Sequence, residues 1–173
     1  MVHIGSLTTP IGVIRLASTD KGICLLSFAQ DKDSFHKELG RIAGKVDITD
    51  SENSIIINAK DQLKDYFGGK LRNFSVPLDF IGTEFQKKVW GELLKIPYGE
   101  LRCYGDIALK LGDMRYSRAV GSANSKNPIP IIVPCHRVIR KGRKISNYSG
   151  GLEVQKSLFR IEGIEYGDIK YII

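Results

Sequence analysis

Apolar stretches at residues 11–18 and 22–29 alternate with polar turns and read as short strands. Asp20-Lys21-Gly22 between them is a turn signal, so the pair predicts a β-hairpin. The period then lengthens. Residues 33–43 and 54–67 carry helical spacing, the second through Ile55, Ile56, Ala59, Leu63, Tyr66 and Phe67, and Gly68-Gly69 stops it. The stretch GKLRNFSVPLDFIG, with Pro77 and Gly82, reads as a connecting segment. At Thr83 the character changes to short helices. TEFQ is a capping box, after which Phe85, Val89, Trp90, Leu93 and Leu94 make one apolar face, broken by Pro97-Tyr98-Gly99-Glu100. A further helix is predicted from Tyr104 to Leu111, ended by Gly112, and a third from about Tyr116 to Ser125. Two short helices about a glycine-containing turn are the pattern of a helix-turn-helix. The second of them has a small-residue face, Ala119, Gly121, Ser122 and Ala123, which suits either close approach to a groove or tight packing in a core. A last helix is predicted over 151–162, and no internal repeat or low-complexity tract interrupts the chain.

The chain has 173 residues, enough for one domain or two small ones. Its three cysteines, Cys24, Cys103 and Cys135, are odd in number and widely spaced, so neither a disulfide framework nor a zinc ribbon is indicated, and a reducing, intracellular (cytoplasmic) setting is expected. No signal-peptide pattern or membrane-length apolar run is present, which predicts a soluble, unprocessed protein with no membrane partner. The net charge of +7 sharpens the picture by its distribution. Residues 1–78 hold ten Lys/Arg against nine Asp/Glu, whereas 102–144 hold ten basic side chains opposed by Asp106 and Asp113 alone. Such a one-sided field attracts polyanions, although a solvated basic surface would look the same.

The candidate chemistry lies in Ile132 to Ile139, IVPCHRVI. A strand is predicted over Ile129 to Val133, interrupted by Pro128, Pro130 and Pro134, so the chain is expected to leave the sheet at Pro134 and present Cys135 at a turn. A thiol becomes a nucleophile when a neighbouring imidazole takes its proton, and His136 is the nearest candidate, directly or through a water. A Cys-His dipeptide alone fits a packed thiol beside a satisfied core histidine better. Its context points the other way. A basic loop, RKGRK at 140–144, is followed by Tyr148, Ser149, Gly150 and Gly151, which supply a phenol and exposed amides for a pocket that takes a flat polar base, and Glu162 downstream could orient the imidazole.

PCHRVI, the upstream RAVGSANSKNPIPIIV, the segment Tyr104 to Ala108 and the downstream NYSGG together resemble the O6-alkylguanine-DNA alkyltransferases, also called methylated-DNA–protein-cysteine methyltransferases, over about residues 83–165. The first 80 residues resemble that family in size and general organisation. The resemblance implies an α/β (α+β) fold: an N-terminal small sheet with helices, ribonuclease H-like, over 1–78, and a mostly helical, winged-helix-like domain with a helix-turn-helix over 79–173. It implies irreversible, single-turnover transfer of the alkyl group of O6-alkylguanine in double-stranded DNA to Cys135, after the base is flipped out through the minor groove. By the same resemblance His136 is the water-linked base, Glu162 its orienting carboxylate and Asn127 the brace of the active-site turn. Tyr104 crowds the neighbouring phosphate, and Arg118 enters the base stack from a recognition helix that includes Ala119, Gly121, Ser122 and Ala123. In the pocket, Val138 and Cys135 offer carbonyls, while Tyr148, the Ser149 amide and Gly150 face the O6 side.

Departures from the family pattern are Gln155 in place of lysine, Asn124 beside the pocket in place of methionine, Cys103 in place of serine or threonine, and the basic 140–144 loop, in which Arg140 and Lys141 are expected to contact phosphate. Some relatives hold zinc in the N-terminal module. Here only His3, Cys24 and His36 are of that character, without ligand spacing, so no metal and no cofactor are expected. A monomer is expected. The alternatives are a damage-sensing DNA-binding protein without alkyl transfer, a helix-turn-helix regulator, and a cysteine hydrolase. The first is disfavoured by Cys135, the second by the Cys-His pair beside NYSGG, and the third by the lack of a separate oxyanion-hole motif.

Overall fold

The structure is a computed structural model that describes residues 1–142, 144–145, 148–165 and 170–171, with side chains for 1–142 and 148–165. The chain divides into two compact units, Met1–Gly82 and Thr83–Ile173. No helix among the described residues is long and apolar enough to cross a membrane.

The first unit is built on β1 (Val2–Thr9), β2 (Gly12–Ser18) and β3 (Ile23–Ser27), joined by α1 (Lys32–Ala43) to the short β4 (Ile48–Thr49) and closed by α2 (Ser54–Phe67). The order across the sheet is β3-β2-β1-β4, antiparallel except where β4 runs parallel to β1. The predicted hairpin is β2–β3, and the predicted helices are α1 and α2. Strand β1 is an addition to the sequence reading, because its alternation of Val2, Ile4 and Leu7 is diluted by His3, Gly5 and Ser6. The two faces of β1 serve two helices. Val2 and Ile4 share a core with Ala17, Cys24, Phe35 and Leu39, whereas at Gly5 an added Cβ would stand 2.8 Å from Ile56 of α2. The segment expected to be a connector does more than connect. Ile23 exchanges backbone hydrogen bonds with Pro77 and Asp79, so residues 77–79 extend the first unit's sheet edge beyond β3.

The second unit begins at the capping box, with Thr83 and Gln86 bonded reciprocally at 2.9 and 3.2 Å, and continues as α3 (Glu84–Leu93). After the Pro97–Glu100 turn come β5 (Arg102–Cys103) and α4 (Tyr104–Lys110), the latter started by Asp106, which accepts from the Cys103 amide at 2.7 Å. Gly112, at φ 108°, turns the chain into a short 3-10 segment, Met114–Tyr116, and then α5 (Ser117–Ser125). The single tryptophan, Trp90, is buried and donates from Nε1 to the Ala123 carbonyl at 2.9 Å, fixing α5 against α3. A second 3-10 turn, Cys135–Arg137, leads into β6 (Val138–Ile139), which pairs in parallel with β5; α6 (Leu152–Ile161) packs through Phe159 against Ile139 and Ile164, and β7 (Lys144–Ile145) pairs in parallel with β8 (Lys170–Tyr171).

The predicted strand 129–133 is not formed. Pro128, Pro130 and Pro134 remove donors that a ladder needs, and the chain instead folds into a tight turn with one isolated bridge between Pro130 and Val133. Ile131 sits there at φ 73°, a region that costs a β-branched residue about 1–3 kcal/mol.

Candidate active site

That turn is what positions the thiol. Asn127 is buried between its two limbs, accepting from the Ile129 amide at 3.0 Å and donating to the Val133 carbonyl at 2.9 Å. Val133 in turn accepts from the Cys135 amide at 2.8 Å. Cys135 therefore begins its 3-10 turn at a fixed height. Burial pushes its thiol up to about 11, against the opposing pull of hydrogen bonds from Asn127, Tyr148 and the Cys135 and His136 amides that favour the thiolate. A group so disposed rests as the neutral thiol and needs a base to become a nucleophile.

His136 follows it and is fully buried. Its Nε2 lies 2.7 Å from Oε1 of Glu162, while Nδ1, also buried, has no hydrogen-bond partner among the described residues. Burial holds the imidazole below its ordinary value, only partly countered by Glu162. Burial would raise the Glu162 carboxyl, yet contacts with His136 and Arg137 hold it well below the usual carboxylate range. A neutral ring supplies a hydrogen bond but no charge, so we assign the ionised state of Glu162 to Arg137. An ionised acceptor requires the proton on Nε2. Nδ1 is then the lone pair, a basic nitrogen one residue from the thiol.

The two short helices line a groove of about 1020 Å³ with Tyr104, Gly105, Ser117, Arg118 and Gly121, joined by Arg140 and Lys141. Its walls combine small residues and exposed cations, which suits a phosphate backbone approached closely. Cys135 is not on that wall; Tyr104 bridges the two. Burial raises its phenol, and its surroundings include Arg140 on the groove side and Cys135 and Asn124 on the other.

The family model for the 6-O-methylguanine DNA methyltransferase DNA binding domain matches residues 84–164, and that for the same protein's ribonuclease-like domain matches residues 2–80. The chain belongs to the O6-methylguanine-DNA methyltransferase family. Among the similar methyltransferases, a methylated-DNA–protein-cysteine methyltransferase of Methanosarcina acetivorans is 44% identical over 158 residues, covering 90% of this chain and 94% of that protein. The constitutive enzyme of Bacillus subtilis is 41% identical, with 96% and 98% covered. The structure of Mycobacterium tuberculosis OGT in complex with DNA superposes with a TM-score of 0.78 at 40% identity, covering 92% of each chain. The match over residues 2–80 extends the relationship to the N-terminal unit, where the sequence motifs are silent.

For this methyltransferase-family chain, the structure brings Cys135, His136, Glu162, Asn127, Tyr104, Asn124 and Tyr148 together. Ser149 is exposed and Gly150 half-buried beside them, whereas Asn147 and Arg143 of the two motifs lie outside the described residues. Arg118, Ala119 and Ser122 are exposed on α5, but Ala123, expected on the DNA-facing side, is buried against α3 because its carbonyl holds Trp90. The Cys135 carbonyl, expected to be open to a base, already accepts from the Val138 amide and from Asn124 at 3.4 Å. Val138 itself is buried in β6 beside it. Gln155 is buried and donates to the His136 carbonyl at 3.2 Å, a support for the turn. Sequence reasoning missed Ser117 and Ser125 on the groove wall and, more consequentially, Arg137. The signal for Arg137 was a single cation inside the apolar run from Ile129 to Ile139.

Proposed function

We propose that this chain repairs DNA by direct reversal, moving the alkyl group of O6-alkylguanine in duplex DNA onto Cys135 in one irreversible event. The observation that carries this reading is the buried neutral thiol held one residue from a neutral imidazole with a free basic nitrogen, next to a cationic groove. The Cys135 proton passes through one bridging water to Nδ1 of His136. The sulfur attacks the alkyl carbon, a C–S bond forms, the C–O bond breaks and guanine departs with the electron pair. Donors on the guanine edge, from Tyr148 and the Ser149 amide, lessen the charge it accumulates. The thioether has no route back, so each molecule acts once.

In this reading Thr83–Ile173 carries both DNA binding and alkyl acceptance. Arg118 fills the vacancy left by the flipped nucleotide, offsetting part of the few kcal/mol that extrusion costs, and Tyr104 crowds the adjoining phosphate. Ala119, Gly121 and Ser122 face the minor groove, Asn124 the pocket, and Arg140 and Lys141 contact phosphate. The protein works as an intracellular monomer without a cofactor.

Mixing the protein with a duplex containing O6-methylguanine and reading its intact mass tests the proposal. One added methylene, on the peptide bearing Cys135 and capped at one per molecule, is expected. Repeated turnover, transfer to another residue, or binding without mass gain refutes it. Arg118→Ala should slow repair in duplex far more than reaction with a free-base analogue; equal losses would exclude the intercalating role.

A further inference from the structure

Four donors converge on one buried carboxylate. Glu162 Oε1 accepts from His136 Nε2 at 2.7 Å and from Arg137 Nη2 at 2.9 Å, while Oε2 accepts from Arg137 Nε at 2.8 Å and the Gly99 amide at 3.1 Å. Arg137 is only 5% exposed and is held from two further sides. Its Nη1 donates to the Ile96 carbonyl at 2.6 Å, and its face lies 5.7 Å from the ring centroid of Tyr98, whose hydroxyl donates to the Ile161 carbonyl at 2.6 Å. Holding the imidazole in place requires the carboxylate alone. A lone carboxylate in a dry site, however, would draw a proton onto the ring it touches, because opposite charges stabilise one another most where water is absent. An imidazolium cannot take the thiol's proton.

We propose that Arg137 is a positioning residue: its two-pronged pairing cancels the charge of Glu162 while leaving Glu162 able to accept from Nε2, so His136 stays an uncharged ring with Nδ1 as its lone pair. The proposal rests on the reading that His136 accepts the Cys135 proton. The titratable and charged groups facing the ring are Glu162 at the end of α6, Arg137 and Cys135 of its own turn, and Tyr148, whose ring centroid lies 6.4 Å away. Burial is the larger influence against protonation of the ring, and the charge of Arg137, the cation among these groups, acts in the same direction against the pull of Glu162.

The test is nitrogen NMR of the histidine rings in the unmodified protein from about pH 5 to about pH 9, with His136→Gln giving the assignment. A neutral Nε2–H ring at pH 7 is expected, and an imidazolium there overturns the proposal. In Arg137→Met the His136 pKa should rise by about one unit or more, and the acid limb of the single-turnover rate should move up with it. In Arg137→Met/Glu162→Gln, where neither charge remains, both should fall back. A uniform loss of rate with an unmoved ring titration would assign Arg137 a packing role only and overturn the proposal. Should Arg137→Met not fold, Glu162→Gln decides: with Arg137 unopposed, the ring must titrate lower than in the parent, and an unchanged value refutes the charge-cancelling role. A parent protein whose rings behave as stated but whose Cys135 gains no alkyl group would overturn the functional reading while leaving the charge balance standing.

Discussion

Replacing Asn127 by alanine should destabilise the second unit by about 3 kcal/mol. The carboxamide is the partner of the Ile129 amide, and an orphaned buried N–H costs about 1–3 kcal/mol. The Val133 carbonyl loses one of its two donors but keeps the Cys135 amide at 2.8 Å, so its share is nearer ~1 kcal/mol. Ile131 at φ 73° makes the turn dependent on these bonds, since a strained residue relaxes once its surroundings no longer fix it. Trp90 provides the assay. It is the only tryptophan in the chain and is buried in the second unit, so its fluorescence during denaturant or thermal unfolding reports that unit. For a unit of this size ~3 kcal/mol corresponds to a fall in Tm of roughly 12–24 °C. The alkyl-transfer rate, measured well below the new Tm, should fall at least about 10-fold, because a shift of the thiol by even about 1 Å disturbs in-line attack. A loss below about 1 kcal/mol, or full stability loss with an unchanged rate, would refute the claim that Asn127 fixes the reacting sulfur.

Acid should weaken the second unit before any carboxylate titrates. Burial lowers His136 from 6.5, so the unfolded chain takes up that proton first, and stability is complete above about pH 6.5 and lost as pH falls toward the folded value; Glu162, also depressed, adds its loss below about pH 4.5. His136 is the only histidine after residue 82, so His136→Gln should flatten the change in Trp90-monitored stability between about pH 7.5 and about pH 5.5, and a persistent change would exclude it as the source. Gly99→Ala should cost about 1–2 kcal/mol, since Gly99 sits at φ 79° and a Cβ would stand 3.0 Å from the Glu162 carbonyl; an unaltered unfolding midpoint would contradict this. Arg140→Ala/Lys141→Ala should reduce the slope of log DNA affinity against log salt by about two, measured by fluorescence anisotropy over a salt series, and an unchanged slope would remove them from the phosphate contacts.

The elements with clean periods were legible in the sequence. Helices α1 and α2 lie where helical spacing runs over 33–43 and 54–67, α3 starts at the Thr83–Gln86 box, and the β2–β3 hairpin is where apolar stretches flank Asp20-Lys21-Gly22. Strand β1 was not legible, because its second face is kept small at Gly5 to admit α2, and smallness erases alternation. Residues 129–133 misled for the opposite reason. Four β-branched residues around one proline satisfy a strand or a buried turn equally, and Pro128, Pro130 and Pro134 decide between them only when the missing donors are counted one by one.

The site divides along the same line. Cys135 and His136 are sequence neighbours whose chemistry is visible in their identities, whereas Glu162 stands 26 positions away and is tied to them by a hydrogen bond that no spacing rule predicts. Arg137 was the hardest to see, although it was in plain sight within PCHR. A basic residue in a basic segment reads as one more phosphate contact, and the field of Arg102 to Lys144 invites that reading. What separates it from Arg118, Arg140 and Lys141 is burial. Those three are exposed on the groove, free to meet DNA, while Arg137 turns inward to a carboxylate it cannot leave without stranding a charge, a loss of about 3–5 kcal/mol for a broken buried pair. On the proposed reading the positive charge of the second unit has two separate uses, an outer set on the groove for the polyanion and an inner cation, Arg137, for the protonation state of the base beside the thiol.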